Sequence, residues 1–179
     1  CTVDRCASSF VALDFETADY GRDSACSVAL VRVEDNRIVE RFQHLIRPPR
    51  REFIFTHVHG IAWSDVARSP SFREVWALCR PLLRGVDALA AHNATFDQSV
   101  LDASCRAAGL SPPRLPFECT MKLARRVWKI RPTTLPDVCK YLRISLRHHD
   151  AASDAEACAR IMIAANKRAL ARTSRRPPR

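Results

Sequence analysis

Phe10-Val-Ala-Leu-Asp14-Phe15-Glu16-Thr17 is the segment on which the reading of this chain turns. Its opening apolar run reads as a buried strand. Alternate side chains of a strand share a face, so Asp14 and Glu16 project to one side where the apolar run ends. Two neighbouring carboxylates repel each other and lose hydration unless a cation neutralises them. Hard oxygen ligands of this kind suit Mg²⁺ or Mn²⁺. An isolated Asp-x-Glu is more often a solvated strand end, so the motif needs partners elsewhere in the chain.

Outward from this strand, Ala25–Glu34 and Arg37–Ile46 are rich in β-favouring residues, and the Glu34-Asp35-Asn36-Arg37 turn predicts a hairpin closed by Pro48-Pro49. A loop holding His57, His59 and Gly60 follows. Ser71-Phe-Arg-Glu74 is a capping box and predicts a helix to about Leu83. Ala88–Ala91 reads as a short buried strand, after which Asn93 is expected to cap a helix stopped by Gly109 and Pro112. Phe117–Thr120 is the last expected strand. Helices are predicted over Met121–Trp128, Leu135–Leu142 and from Ala151 to about Leu170. Three strands and then alternating helix and strand make an α/β fold with a mixed sheet and helices on its faces.

Composition narrows the function. The 179 residues are 47% hydrophobic and 27% charged, an ordinary globular balance that excludes a disordered chain. Every uncharged stretch is far shorter than the roughly 18 residues of a membrane-spanning helix. Residues 1–9 carry no apolar signal core and read as an N-terminal extension. The chain starts with Cys1 rather than Met and is expected to be an excised or trimmed domain. Twenty-nine Lys and Arg against 19 Asp and Glu give a net charge of +10, which points to a polyanionic partner. Residues 169–179 are expected to be a disordered basic tail, following a domain over 10–168. Eight cysteines without a CxxC pair fit neither a zinc site nor a disulfide scaffold, and predict a reduced, cytoplasmic protein.

Two further acidic stretches complete the pattern. In His92-Asn93-Ala94-Thr95-Phe96-Asp97, the acid lies in the first turn of a helix leaving a buried strand. In His148-His149-Asp150-Ala-Ala-Ser-Asp154, the last acid shares a helix face with Cys158 and Met162, where a structural reason for a carboxylate is hard to find. Together the three stretches closely resemble the motifs of the DNA polymerase III epsilon-subunit-like 3′–5′ exonucleases, the DEDDh class of the ribonuclease H-like superfamily. His149 precedes Asp154 by the family's H-x4-D spacing, and His59-Gly60-Ile61 resembles its His-Gly-Ile loop. The resemblance spans about Phe10 to Met162. It departs at Ala18-Asp19-Tyr20, where epsilon subunits continue Thr-Gly. No clamp-binding segment follows the domain, which is closer to the short stand-alone members.

The resemblance implies a ribonuclease H-like mixed five-stranded sheet flanked by helices, and a hydrolase that releases nucleoside 5′-monophosphates from a nucleic acid 3′ end, DNA before RNA. It implies that Asp14, Glu16, Asp97 and Asp154 hold two divalent cations, Mg²⁺ or Mn²⁺, and that His149 rather than His148 is the general base. For substrate contacts it offers Phe15, Thr17, His59, Asn93 and Phe96. Phe15 and Phe96 read equally well as core residues. His92 reads as a structural strand-end residue, and Trp63, Trp76 and Trp128 as packing residues. His44 and His57 stay unassigned, as does any association with a polymerase. A non-catalytic binding module on the same fold would have lost an acid or the histidine, and all five are present.

Overall fold

The structure is a computed structural model that describes residues 7–173. Five strands, β1 (Phe10–Thr17), β2 (Ala25–Glu34), β3 (Arg37–Leu45), β4 (Ala88–Ala91) and β5 (Phe117–Cys119), form one sheet in the order β3-β2-β1-β4-β5. The β2–β3 hairpin turns on Asp35 and Asn36, both at positive φ, whose twist matches that of paired strands. β1 is antiparallel to β2 and parallel to β4, and β4 is parallel to β5, giving the expected mixed sheet.

The helices are α1 (Thr56–His59), α2 (Trp63–Val66), α3 (Phe72–Cys79), α4 (Thr95–Ala107), α5 (Thr120–Trp128), α6 (Leu135–Leu142) and α7 (Ala151–Thr173). The α-helix predicted from Ser71 to Leu83 stops at Cys79. Residues 80–83 tighten into a 3₁₀ turn carrying Pro81, which has no N–H to continue the α-ladder. α7 runs beyond Leu170 to Thr173, so the first residues of the expected tail are helical; residues 174–179 lie outside the described residues. Asn93 does not cap α4. It takes φ +63°, a left-handed conformation that asparagine tolerates, and its carbonyl accepts from the Phe96 N–H at 2.9 Å, while Ala94 stands at the cap.

The two-residue period of β1 divides the core. Val11, Leu13 and Phe15 pack on the face shared with α3 and α4. Phe10 and Ala12 pack on the other, against Ala155, Cys158, Ala159 and Met162 of α7. Small residues on both sides of that contact let α7 approach the sheet closely. Asp14 and Glu16 follow Ala12 on this α7 face. The β1–β4 register, Phe10 with Ala88 and Ala12 with Ala90, ends before Asp14, so β1 projects past β4 at the point where α4 begins. Strand ends of this kind in α/β sheets are where ligands bind. Among the described residues all six cysteines are free thiols, and no helix is long and apolar enough to cross a membrane.

Candidate active site

A cleft of about 360 Å³ opens at the carboxyl end of β1, and Asp14, Glu16, Asp97 and Asp154 all line it. β1 supplies the first two directly. Asp97 is brought from the first turn of α4 and fixed by the Phe15 N–H, which donates to its Oδ1 at 3.1 Å. Asp154 enters from the first turn of α7, whose start is organised by Asp150: its carbonyl accepts from the Asp154 N–H and its side chain from the Ala152 N–H.

Four carboxyls line this cleft, and among the described residues no Lys or Arg does. Burial drives the Asp14 carboxyl well above its usual range, with Asp97, Asp154 and Glu16 adding repulsion. Glu16 is pushed up to about 8 by burial and then by Asp154 and Asp97. Burial takes Asp97 to about 8 despite the Phe15 hydrogen bond. Asp154 is raised by burial, against the opposing pull of His148. The Oδ1 of Asp154 is buried without a hydrogen-bond partner among the described residues. An orphaned carboxylate oxygen on a residue that shares its cleft with three other acids fits a divalent cation, and the carboxylate oxygens match Mg²⁺ or Mn²⁺ better than softer metals.

Both histidines of the third motif line the same cleft. His148 Nδ1 lies 2.9 Å from Asp154 Oδ2, and the His149 N–H donates to that oxygen at 3.2 Å. His149 reaches this position at φ +66°, and its ring stacks on His148 with centroids 3.8 Å apart. Burial, then the neighbouring His148, lowers the His149 pKa, so its imidazole is neutral at pH 7. The donor atoms of His148, His149 and Asp154 lie within 4.8 Å of one another. Hydrogen bonding and ring stacking account for that grouping without a metal, whereas the uncompensated charge sits on the carboxylates.

The expected substrate contacts divide. Asn93 is exposed on the cleft wall, and Phe96 is half-buried there with the Arg22 guanidinium 4.6 Å from its ring centroid. The Phe15 side chain is 3% exposed and belongs to the core, so this residue acts through its backbone N–H on Asp97 rather than as a side-chain contact. Thr17 is buried and its carbonyl accepts from His59 Nε2 at 3.1 Å; His59 Nδ1 in turn accepts from the Ile61 N–H at 3.1 Å. Both ring nitrogens of His59 are thus used within the protein. It lines the cleft as a neutral ring that braces the loop, its pKa lowered by burial. His92 is the structural residue that its strand-end position implied, paired with Thr120 Oγ1 at 2.8 Å and the Thr133 carbonyl at 2.9 Å. Phe55 and Val58 also line the cleft. Their only sequence signal is nearness to the His-Gly-Ile loop, and Arg22 carried none.

A mixed β3-β2-β1-β4-β5 sheet whose central strand, together with two helix starts, delivers carboxylates to one cleft defines a ribonuclease H-like nuclease fold. Residues 11–162 match the family model described as Exonuclease, RNase_T, and the chain belongs to this family. It is 29% identical over 160 residues to a DNA polymerase III PolC-type of Caldanaerobacter subterraneus subsp. tengcongensis, covering 86% of this chain and 11% of that protein. The chain thus spans about a tenth of the length of such relatives. It is 38% identical over 104 residues to Exodeoxyribonuclease 10 of Escherichia coli strain K12, covering 56% of this chain and 40% of that one. Exonuclease X solved in complex with 5′-overhanging duplex DNA superposes with a TM-score of 0.69 at 24% identity, covering 92% of this chain and 93% of that chain.

Proposed function

We propose that this chain is a 3′–5′ exonuclease that removes nucleoside 5′-monophosphates from the 3′ end of DNA, using two divalent cations and His149 as general base. The observation that carries this reading is the convergence of Asp14, Glu16, Asp97 and Asp154 on a cleft that, among the described residues, no Lys or Arg lines and where one buried Asp154 oxygen has no partner. Asp14, Glu16 and Asp154 would hold the first cation, and Asp14 and Asp97 the second. Bound there, such ions supply charge neutralisation at the phosphodiester and acidify the attacking water. The neutral His149 imidazole takes the proton of that water as its oxygen bonds to phosphorus. The bond from phosphorus to the 3′ oxygen breaks, and that oxygen leaves as a hydroxyl after taking a proton from solvent. His148 holds Asp154 Oδ2, stacks on His149 and helps to lower its pKa.

DNA is favoured because the relatives include an exodeoxyribonuclease and polymerase III proteins. A site built on phosphate and metal reads the 2′-hydroxyl only through a dedicated contact. Incubating the purified chain with Mg²⁺ or Mn²⁺ and 5′-labelled single-stranded or 3′-recessed oligonucleotides tests the proposal. A ladder shortening from the 3′ end, with mononucleotide release, is expected, and Asp14→Ala should abolish hydrolysis while retaining binding. Intact oligonucleotide after long incubation, or unchanged cleavage by Asp14→Ala, refutes it.

A further inference from the structure

After β3 the chain reads Arg47-Pro48-Pro49-Arg50-Arg51. The three arginines have different fates. Arg50 is consumed inside the protein, pairing with Asp19 at 2.8 Å and Asp23 at 2.7 Å, and it holds both carboxyls below their ordinary range. Arg47 and Arg51 enter no ion pair among the described residues; the Arg51 guanidinium instead lies 5.4 Å from the Trp63 ring centroid. Arg73, in the first turn of α3, donates to the Ala108 carbonyl just beyond α4.

Arg47, Arg51, Trp63 and Arg73 border a second cavity, of about 670 Å³, separate from the carboxylate cleft. Ser104 of α4 also lines it, 1% exposed, with a hydroxyl that has no hydrogen-bond partner among the described residues. Burying a hydroxyl unpaired is unfavourable unless a ligand completes it. Asp23 is the acid on this wall, and Arg50 has already neutralised it. Three guanidinium groups, an indole face and a buried hydroxyl form a set of donors suited to phosphate beside a surface on which a base can stack. The volume lies within the range of nucleotide-sized sites. The β1–β2 loop joins the two places: Arg22 covers Phe96 on the cleft wall, and the next residue, Asp23, lines this cavity.

We propose that this cavity is a second nucleotide site, which holds a nucleotide of the substrate strand upstream of the 3′ end engaged in the cleft. The inference rests on the exonuclease reading and extends it by setting how substrate length is sensed. The strand passes from Phe96 across Arg22. Its base stacks on the Arg51–Trp63 pair, Arg47 and Arg73 meet its phosphates, and the Ser104 hydroxyl donates to a phosphate or sugar oxygen.

Initial rates of the full chain with Mg²⁺ on oligothymidylates of three and twelve nucleotides, across a salt series, provide the test. The wild type should show a KM for the 12-mer about tenfold below that for the trimer. Arg47→Ser with Arg51→Ser should erase this difference and leave kcat on the trimer unchanged. It should also flatten the salt slope of log KM for the 12-mer by about 0.7, the one single-strand phosphate contact that Arg47 makes. Ser104→Ala, which keeps the arginines, should raise the 12-mer KM alone. An active wild type whose length dependence and salt slope are unchanged in the double variant overturns the second site. A wild type inactive on both lengths overturns the exonuclease reading and this inference with it.

Discussion

Replacing Asp97 with asparagine separates the electrostatic cost of the cleft from its chemistry. The folded protein holds the Asp97 proton up to about pH 8, whereas the ordinary value is 3.8. Below pH ~4 both folded and unfolded chains carry that proton, and no cost arises. Above it the unfolded chain releases the proton while the folded chain keeps it, so stability falls by about 1.4 kcal/mol per pH unit until the folded value is reached. Between pH 3.8 and 7 this accumulates to ~4 kcal/mol from a side chain that is 2% exposed. Asp97→Asn keeps an oxygen acceptor for the Phe15 N–H and removes the titration. The metal-free variant should match the wild type near pH 4 and exceed its stability by roughly 2–4 kcal/mol at pH 7, the lower figure allowing for burial of the amide. Urea denaturation in EDTA at half-unit pH steps from 4 to 8 measures this. Mg²⁺ at about 100 times its Kd should restore ~2.7 kcal/mol to the wild type at pH 8 and much less to the variant. Equal pH slopes for the two proteins, or wild-type stability that climbs between pH 5 and 7, would refute the reasoning.

The two histidines should fail in different ways. His149→Ala should lower kcat by about 10²–10⁴ at saturating metal. His148→Ala, which leaves Asp154 Oδ2 with only the His149 N–H of its two partners, should instead raise the Mg²⁺ concentration for half-maximal rate about 10–100-fold, as loss of a residue supporting a ligand does; metal titration of both variants distinguishes these outcomes, and identical profiles would show the roles are wrongly divided. His92→Phe leaves the Thr133 carbonyl and Thr120 hydroxyl without their ring partners and should cost about 1–3 kcal/mol, read as a lower urea midpoint. Leu30→Ala, at a fully buried position of the central sheet, should cost about 2–5 kcal/mol by the same measurement.

Much of this protein could be read from residue order because its signals are local. The apolar start of β1, the Asp35–Asn36 turn and the Ser71–Glu74 box each fix a backbone conformation through neighbours a few residues away. Spacing also exposed the acids: period 2 joined Asp14 to Glu16, and the helix period set Asp154 on a buried stripe. Where reading failed, the deciding contact came from far along the chain or from the backbone itself. Pro81 shortened α3 by withholding an N–H, and Asn93, the expected cap, entered the left-handed region and left the cap to Ala94 one residue later.

The sequence on its own determined which side chains could share a face and where charge would be hard to explain. Only the tertiary structure decided that Asp14, Glu16, Asp97 and Asp154 share one cleft. That depends on the β1–β4 register and on alanine and cysteine side chains small enough to bring α7 onto the sheet. It also turned Phe15 into a backbone donor to Asp97, consumed both nitrogens of His59, and gave Asp154 Oδ2 to the ring of His148. The physical reason is range. Backbone conformation follows from near neighbours, whereas the ionisation and partnership of a buried polar group depend on every chain segment packed around it.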